Sequence, residues 1–183
     1  MTKQQERRDF FRIDDVIRLQ LSAVKPGNAS ETGLPPALAT LNQLRRLDSE
    51  NAQVLRQIND KHRDIARYLT LQNEKFEMLA QLLVDQLNID FNEVAANISG
   101  SGFKITLEQA PSEGSEWHIR VLLLPDCFSF YCRGKVSQCE AIAGNRFEVA
   151  YEFTEIDSGD QDELVKYITK KQSKQLRAQR LGD

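Results

Sequence analysis

What this chain has little of narrows its function first. It has no surplus of positive charge: 24 Lys and Arg stand against 27 Asp and Glu, a net charge of −3. A nucleic-acid-binding domain usually shows a basic excess, so nucleic acid is not an expected partner, and any recognition of anions must be local. No apolar run approaches the ~18–20 residues of a spanning helix, which excludes a membrane span by helices. Met1 to Arg8 carries no apolar stretch of the signal-peptide kind, so a cytoplasmic location is expected. Cysteine is scarce and odd in number. Cys127, Cys132 and Cys139 argue against a disulfide framework. Their spacings of five and seven put neighbours on opposite faces of a strand, poor geometry for a metal. The two histidines, His62 and His118, have no nearby Ser or Cys of triad character. No P-loop or dinucleotide fingerprint occurs. Neither an enzyme nor a metal or cofactor site is expected.

What is present falls into three patterns. Residues 14–24 alternate as a strand, with Val16, Arg18 and Gln20 on one face and Ile17, Leu19 and Leu21 on the other. A Gly-, Ser- and Pro-rich stretch runs to Pro35-Pro36. From 37 to 88 there is neither Pro nor Gly, and a seven-residue repeat appears. Its a positions are Leu41, Asp48, Leu55, His62, Leu69, Phe76 and Leu83; its d positions are Leu44, Asn51, Ile58, Ile65, Gln72, Leu79 and Gln86. Nine of these fourteen are apolar, which is a coiled-coil signature. The phase holds through Asn59–Asp64, so one continuous helix of ~75 Å is expected. The alternative is two shorter helices folded antiparallel, broken in that polar segment. Such a stripe needs partner helices, so a homo-oligomer is expected. Apolar g positions (Leu47, Val54, Tyr68 and Leu82) widen the stripe and suit more than two helices.

Beyond Asn88 the period drops to two. Strands are predicted near 91–97, 103–109, 117–124, 128–140 and 146–156, separated by turn residues with no helix between them. With 14–24 they suggest a six-stranded antiparallel barrel or sandwich of the α+β class over 1–24 and 89–183, interrupted by an inserted helical segment, 37–88. A last helix opens on Asp160 to Glu163, with capping-box spacing. It carries an apolar stripe of Leu164, Val165, Ile168 and Leu176, and a basic end.

Two segments far apart carry the functional signal. Glu6-Arg7-Arg8-Asp9-Phe10-Phe11-Arg12 groups three guanidinium groups ahead of a strand. Arginine suits bidentate phosphate contacts, guanine edges and stacking on flat rings. Phe10 and Phe11 are expected to anchor this arm on the barrel. Asn97-Ile98-Ser99-Gly100-Ser101-Gly102 offers amide and hydroxyl groups from alternate strand positions. Its glycines permit a tight turn and close approach to backbone. Alone, the first is also what a charged tail looks like, and the second an ordinary hairpin turn.

Together they resemble the PilZ domain family, bacterial receptors for cyclic di-GMP. Arg8-x-x-x-Arg12 is similar to that family's N-terminal motif, and Asn97-x-Ser99-x-x-Gly102 to its second motif. The resemblance covers residues 6–24 and 90–181, and the helical insertion resembles the tetrameric PilZ subgroup. Ser101 departs from the Gly that many members have. The resemblance implies a cyclic di-GMP ligand and a tetramer that passes the signal to a further protein partner. It implies that Arg8 and Arg12 grip phosphates and guanine edges with help from Arg7. It also implies that Asn97 and Ser99 bond a guanine and that Gly102 permits the turn. A scaffold of the same fold that has lost the nucleotide is the alternative.

Overall fold

Alternating apolar residues at 13, 17 and 19, at 96 and 98, and at 103 and 105 turn one face of each strand inward, and the sheet closes on itself around them. A computed structural model describes residues 11–24, 33–87 and 89–181. In chain order the elements are β1 (Arg12–Ala23), α1 (Pro36–Lys61), α2 (Arg63–Gln86), β2 (Asn92–Ser99), β3 (Gly102–Leu107), β4 (Glu116–Leu123), β5 (Phe128–Ile142), β6 (Arg146–Ile156) and α3 (Ser158–Leu181). The six strands form a closed barrel in the order β1-β2-β3-β6-β5-β4, every pairing antiparallel. The expected fold class is therefore present, with each strand within a few residues of its predicted place. No helix among the described residues is long and apolar enough to cross a membrane.

The barrel core is aromatic-rich. Phe103 stacks on Tyr151 at 5.1 Å between ring centroids, and Phe130 meets Phe153 edge-on at 5.7 Å. Helix α3 closes one end by adding Leu164, Tyr167 and Ile168 to this core. The Tyr167 hydroxyl donates to Asp15 at 2.6 Å, and Lys171 also bonds that carboxylate. A carboxylate with only 6% of its side chain exposed is thereby paired, as burial of a charge requires. The helix starts earlier than its acidic sequence indicates. Asp157, not Asp160, is the cap, and accepts from the Gly159 and Asp160 amides at 2.9 and 3.2 Å. Asp160 instead pairs with Arg46 of α1 at 3.1 Å. Burial, then the nearby Asp157, pushes its carboxyl above the usual range.

The inserted segment is two helices, and this corrects the expectation of one. His62 leaves helical geometry at φ −141°, ψ 75°, while its amide still bonds Ile58 and its carbonyl accepts from Ala66. Helix α2 then runs back along α1, so Leu38, Leu41 and Val84 come together over Leu122 and Cys127 as a second core. A single helix would have left these residues tens of ångströms apart at 1.5 Å per residue. The heptad stripe is consequently divided. Leu55, Ile58 and Leu69 are half-buried, whereas Leu44, Val54, Ile65, Tyr68, Phe76 and Leu79 remain 51–65% exposed.

One polar clamp seats the insertion on the barrel. The Asn42 side chain, 9% exposed, accepts from the Ser129 amide at 3.1 Å and hydroxyl at 3.2 Å and donates to the Ser129 carbonyl. Asn42→Ala strands these buried partners, so we expect a loss of about 1–3 kcal/mol in denaturant unfolding.

Tyr151 is the reverse case. It is 2% exposed, and its hydroxyl has no hydrogen-bond partner among the described residues. Burial, then the neighbouring Cys139, pushes the phenol up to about 12. An unfolded chain ionises this group near 10. Stability is thus complete below pH 10 and falls as pH rises towards 12, by roughly 2–3 kcal/mol from this group. Tyr151→Phe should remove that share of the alkaline loss. It should also gain about 1 kcal/mol at neutral pH by deleting an unsatisfied hydroxyl. Unfolding curves of both proteins at pH 7 and pH 11 check this.

Candidate functional site

Strand alternation and register assemble the site. With Ile13 and Ile17 turned inward on β1, Arg12 and Asp14 point outward; with Ala96 and Ile98 inward on β2, so do Asn97 and Ser99. The β1–β2 register sets Arg12 opposite Ser99 and Asp14 opposite Asn97, and cross-strand neighbours are within side-chain reach. Residues 85 positions apart therefore meet. An Arg12 guanidinium nitrogen lies 3.5 Å from the Asn97 Oδ1. The Asn97 Nδ2 donates to the Asp14 carboxylate at 2.7 Å, so the amide presents its oxygen to the arginine.

Ser99 works on the turn that follows it. It is 1% exposed. Its hydroxyl donates to the Gly102 carbonyl at 3.1 Å and lies 3.4 Å from the Ser101 amide and hydroxyl. The turn is held from both sides: Gln161 of α3 donates to the Gly100 carbonyl at 3.0 Å, and Phe153 of β6 donates to the Ser101 carbonyl at 2.9 Å. Gly102 has a different structural reason from the turn geometry expected of it. It is the first residue of β3, paired with both Ser99 and Glu152. A Cβ there would fall 2.1 Å from the Tyr151 carbonyl oxygen, so glycine is required where β3 and β6 approach each other.

These residues edge an open groove of about 250 Å³, lined by Arg12, Ser101, Gly102, Lys104, Gln138 and Glu152 among others. Lys104, Gln138 and Glu152 escaped the sequence reading, because only the register of β3, β5 and β6 brings them beside Arg12. Lys104 left a usable trace: it stands two positions after Gly102, on the same outward face. The face carries mixed charge. Lys104 bonds Glu148 at 2.8 Å, and Lys135 stands opposite Glu152. Arg12 is thus a partly engaged cation at the rim, suited to anionic groups and to flat, hydrogen-bonding rings. Arg7, Arg8 and Phe10 lie outside the described residues. Phe11 is 63% exposed and does not anchor the arm on the barrel as expected. Among the described residues no cluster of His, Cys, Asp or Glu is arranged to hold a metal ion.

Comparison with known proteins bears on the family and the fold. No curated protein matches the chain. Among solved structures, a tetrameric PilZ domain from Xanthomonas campestris, described as self-assembled through a helical bundle, is 15% identical. The match covers 92% of each chain with a TM-score of 0.57, a likeness of fold. The Bacillus subtilis inhibitor of motility, MotI/DgrA, is 14% identical over 95% of this chain and 57% of its own, with a TM-score of 0.48. The PilZ domain family model matches residues 61–170, more than half of the chain. A match of that extent, on a closed six-stranded barrel with a terminal helix, means that the chain belongs to the PilZ domain family.

Proposed function

We propose that this protein is a cytoplasmic receptor for cyclic di-GMP. The ligand lies in the groove between Arg12 and the Asn97–Gly102 turn, with Arg7 and Arg8 brought to it by the preceding segment. The observation that carries the reading is the placement of the Arg12 guanidinium 3.5 Å from Asn97 at the mouth of a groove. Guanidinium groups contact phosphodiesters and stack on purines, while an amide beside them matches a guanine edge. The residues 1–24 and 89–183 form the receptor unit, and 37–88 is the oligomerisation unit. Copies associate through the α1–α2 hairpins, whose outer stripe is too apolar and too long to stay in water. Four such hairpins make a tetramer of the kind the Xanthomonas domain forms, and a protein partner reads the occupied state.

One observation favours a scaffold that does not bind nucleotide. The Ser99 hydroxyl is committed to Gly102 and the Asn97 amide to Asp14, so a ligand must compete for both. Calorimetric titration separates the two readings. Wild type should saturate with cyclic di-GMP, and Arg12→Ala should weaken binding by about 10–150-fold, the equivalent of a charge-assisted bond of about 1.5–3 kcal/mol. A wild type that gives no saturable heat leaves the scaffold.

The oligomer has its own check. Phe76 and Leu79 are 65% and 54% exposed and take no part in either core. The double change Phe76→Asp/Leu79→Asp should leave the barrel folded by circular dichroism. In sedimentation it should convert the assembly to smaller species. An unchanged mass would place the interface elsewhere.

A further inference from the structure

Lys104 was absent from the sequence motifs, yet it occupies the centre of the outward face. Register sets it opposite Asn97 on one side and Ala150 on the other. It borders two adjoining grooves. One is the 250 Å³ groove that holds Arg12 and Gly102. The other, of about 280 Å³, holds Asp14, Asn97, Thr106 and Glu148. Asn97, which Arg12 reaches at 3.5 Å, stands opposite Lys104 in the register, so the amide lies between the two cations and both cations border the same groove. These are the two cationic side chains lining the groove among the described residues. A cyclic dinucleotide brings two phosphodiester anions, and one guanidinium meets only one of them well.

The ammonium is already engaged. It bonds Glu148 at 2.8 Å, with 35% and 45% of the two side chains exposed. An ion pair this open is weak, because water compensates both charges when it breaks. A phosphate approaching Lys104 is a stronger partner than a solvated carboxylate. The released Glu148 is half-exposed and regains its hydration. It stays close enough to repel the arriving anion, however, so it taxes binding in proportion to that repulsion.

We propose that Lys104 is the second phosphate-binding cation of this groove, and that Glu148 competes with the ligand for it. This rests on the reading of the groove as a cyclic di-GMP site. It adds a residue outside the two motifs and a carboxylate that sets the affinity from within the protein.

Calorimetric titrations of cyclic di-GMP into the full chain test it, with wild type, Lys104→Ala, Lys104→Met, Glu148→Gln and Arg12→Ala compared at two salt concentrations. Lys104→Ala and Lys104→Met should each weaken binding by about tenfold and make it less sensitive to salt. Met keeps the aliphatic stem, so agreement between the two assigns the loss to charge rather than packing. Glu148→Gln should tighten binding by about two- to fivefold, the scale of an exposed pair. If Lys104→Ala stays within about twofold of wild type while Arg12→Ala loses binding, the role of Lys104 is overturned and the site stands. If Glu148→Gln weakens binding as Lys104→Ala does, the pair is a structural support and the competition is overturned. No saturable binding by wild type overturns the site itself, and Lys104's role with it.

Discussion

Strand β1 is the element on which the rest depends. Its Arg12–Leu19 stretch pairs with β2, and its Arg18–Ala23 stretch pairs with β4, so one strand of twelve residues closes the barrel. Closure pairs β4 along Trp117–Leu122 with β1, where an open sheet would present an edge to a foreign strand. It also fixes where everything else sits. β2 has to return antiparallel beside β1, which brings Asn97 to Arg12 across 85 residues of chain. The insertion has to leave and re-enter within one hairpin, because Leu19 already pairs with Asn92. The helical unit is thus attached directly to the two strands that carry the candidate site.

The attachment is made by a few polar ties, from the buried Asn42 to exposed ion pairs, as well as by apolar area. Asn42 satisfies the first residues of β5. Arg18 pairs with Asp85 at 2.9 Å, and Arg45 lies over the Phe128 ring at 5.0 Å. Helix α3 joins both parts: Gln161 holds the Gly100 carbonyl of the site turn, while the neighbouring Asp160 takes Arg46 of α1. Individually the exposed pairs are weak. Their geometric effect is to fasten one helix turn to both the site and the hairpin. Exchange of α3 with solvent would therefore loosen both at once.

The strands were legible because alternation survives in a barrel with one wet face, and each break carried Gly, Pro, Asn or Asp. The helical break was not. A heptad repeat records which face is apolar and says nothing of whether the second half continues or returns, since both helices of a hairpin need the same stripe. His62 carries no Gly or Pro signal. What decides is tertiary: only the folded-back arrangement puts Leu38, Leu41 and Val84 on Leu122. The cap of α3 was misplaced for a similar reason, because Asp157 and Asp160 are both acceptable caps and the end of β6 selects the first. Gly102 was read as a turn residue, although the deciding contact is with Tyr151, on a strand that sequence distance hides. The two motif segments were visible and the remainder of the groove was not, since Lys104, Gln138 and Glu152 belong to it only through register.

The charge arrangement of the outward face bears on how a chain of net charge −3 would serve the proposed anionic ligand. Arg12, Lys104 and Lys135 are interleaved with Asp14, Glu148 and Glu152 along the pairings of β1, β2, β3, β6 and β5. At a Debye length of about 8–10 Å such a surface has little net field, so it attracts polyanions weakly. A small ligand gains only by taking cations from their local partners, which requires its anionic groups to arrive at the right spacing. On the proposed reading, selectivity would come from geometry set by strand register, and the carboxylates that oppose binding would be what makes the site selective.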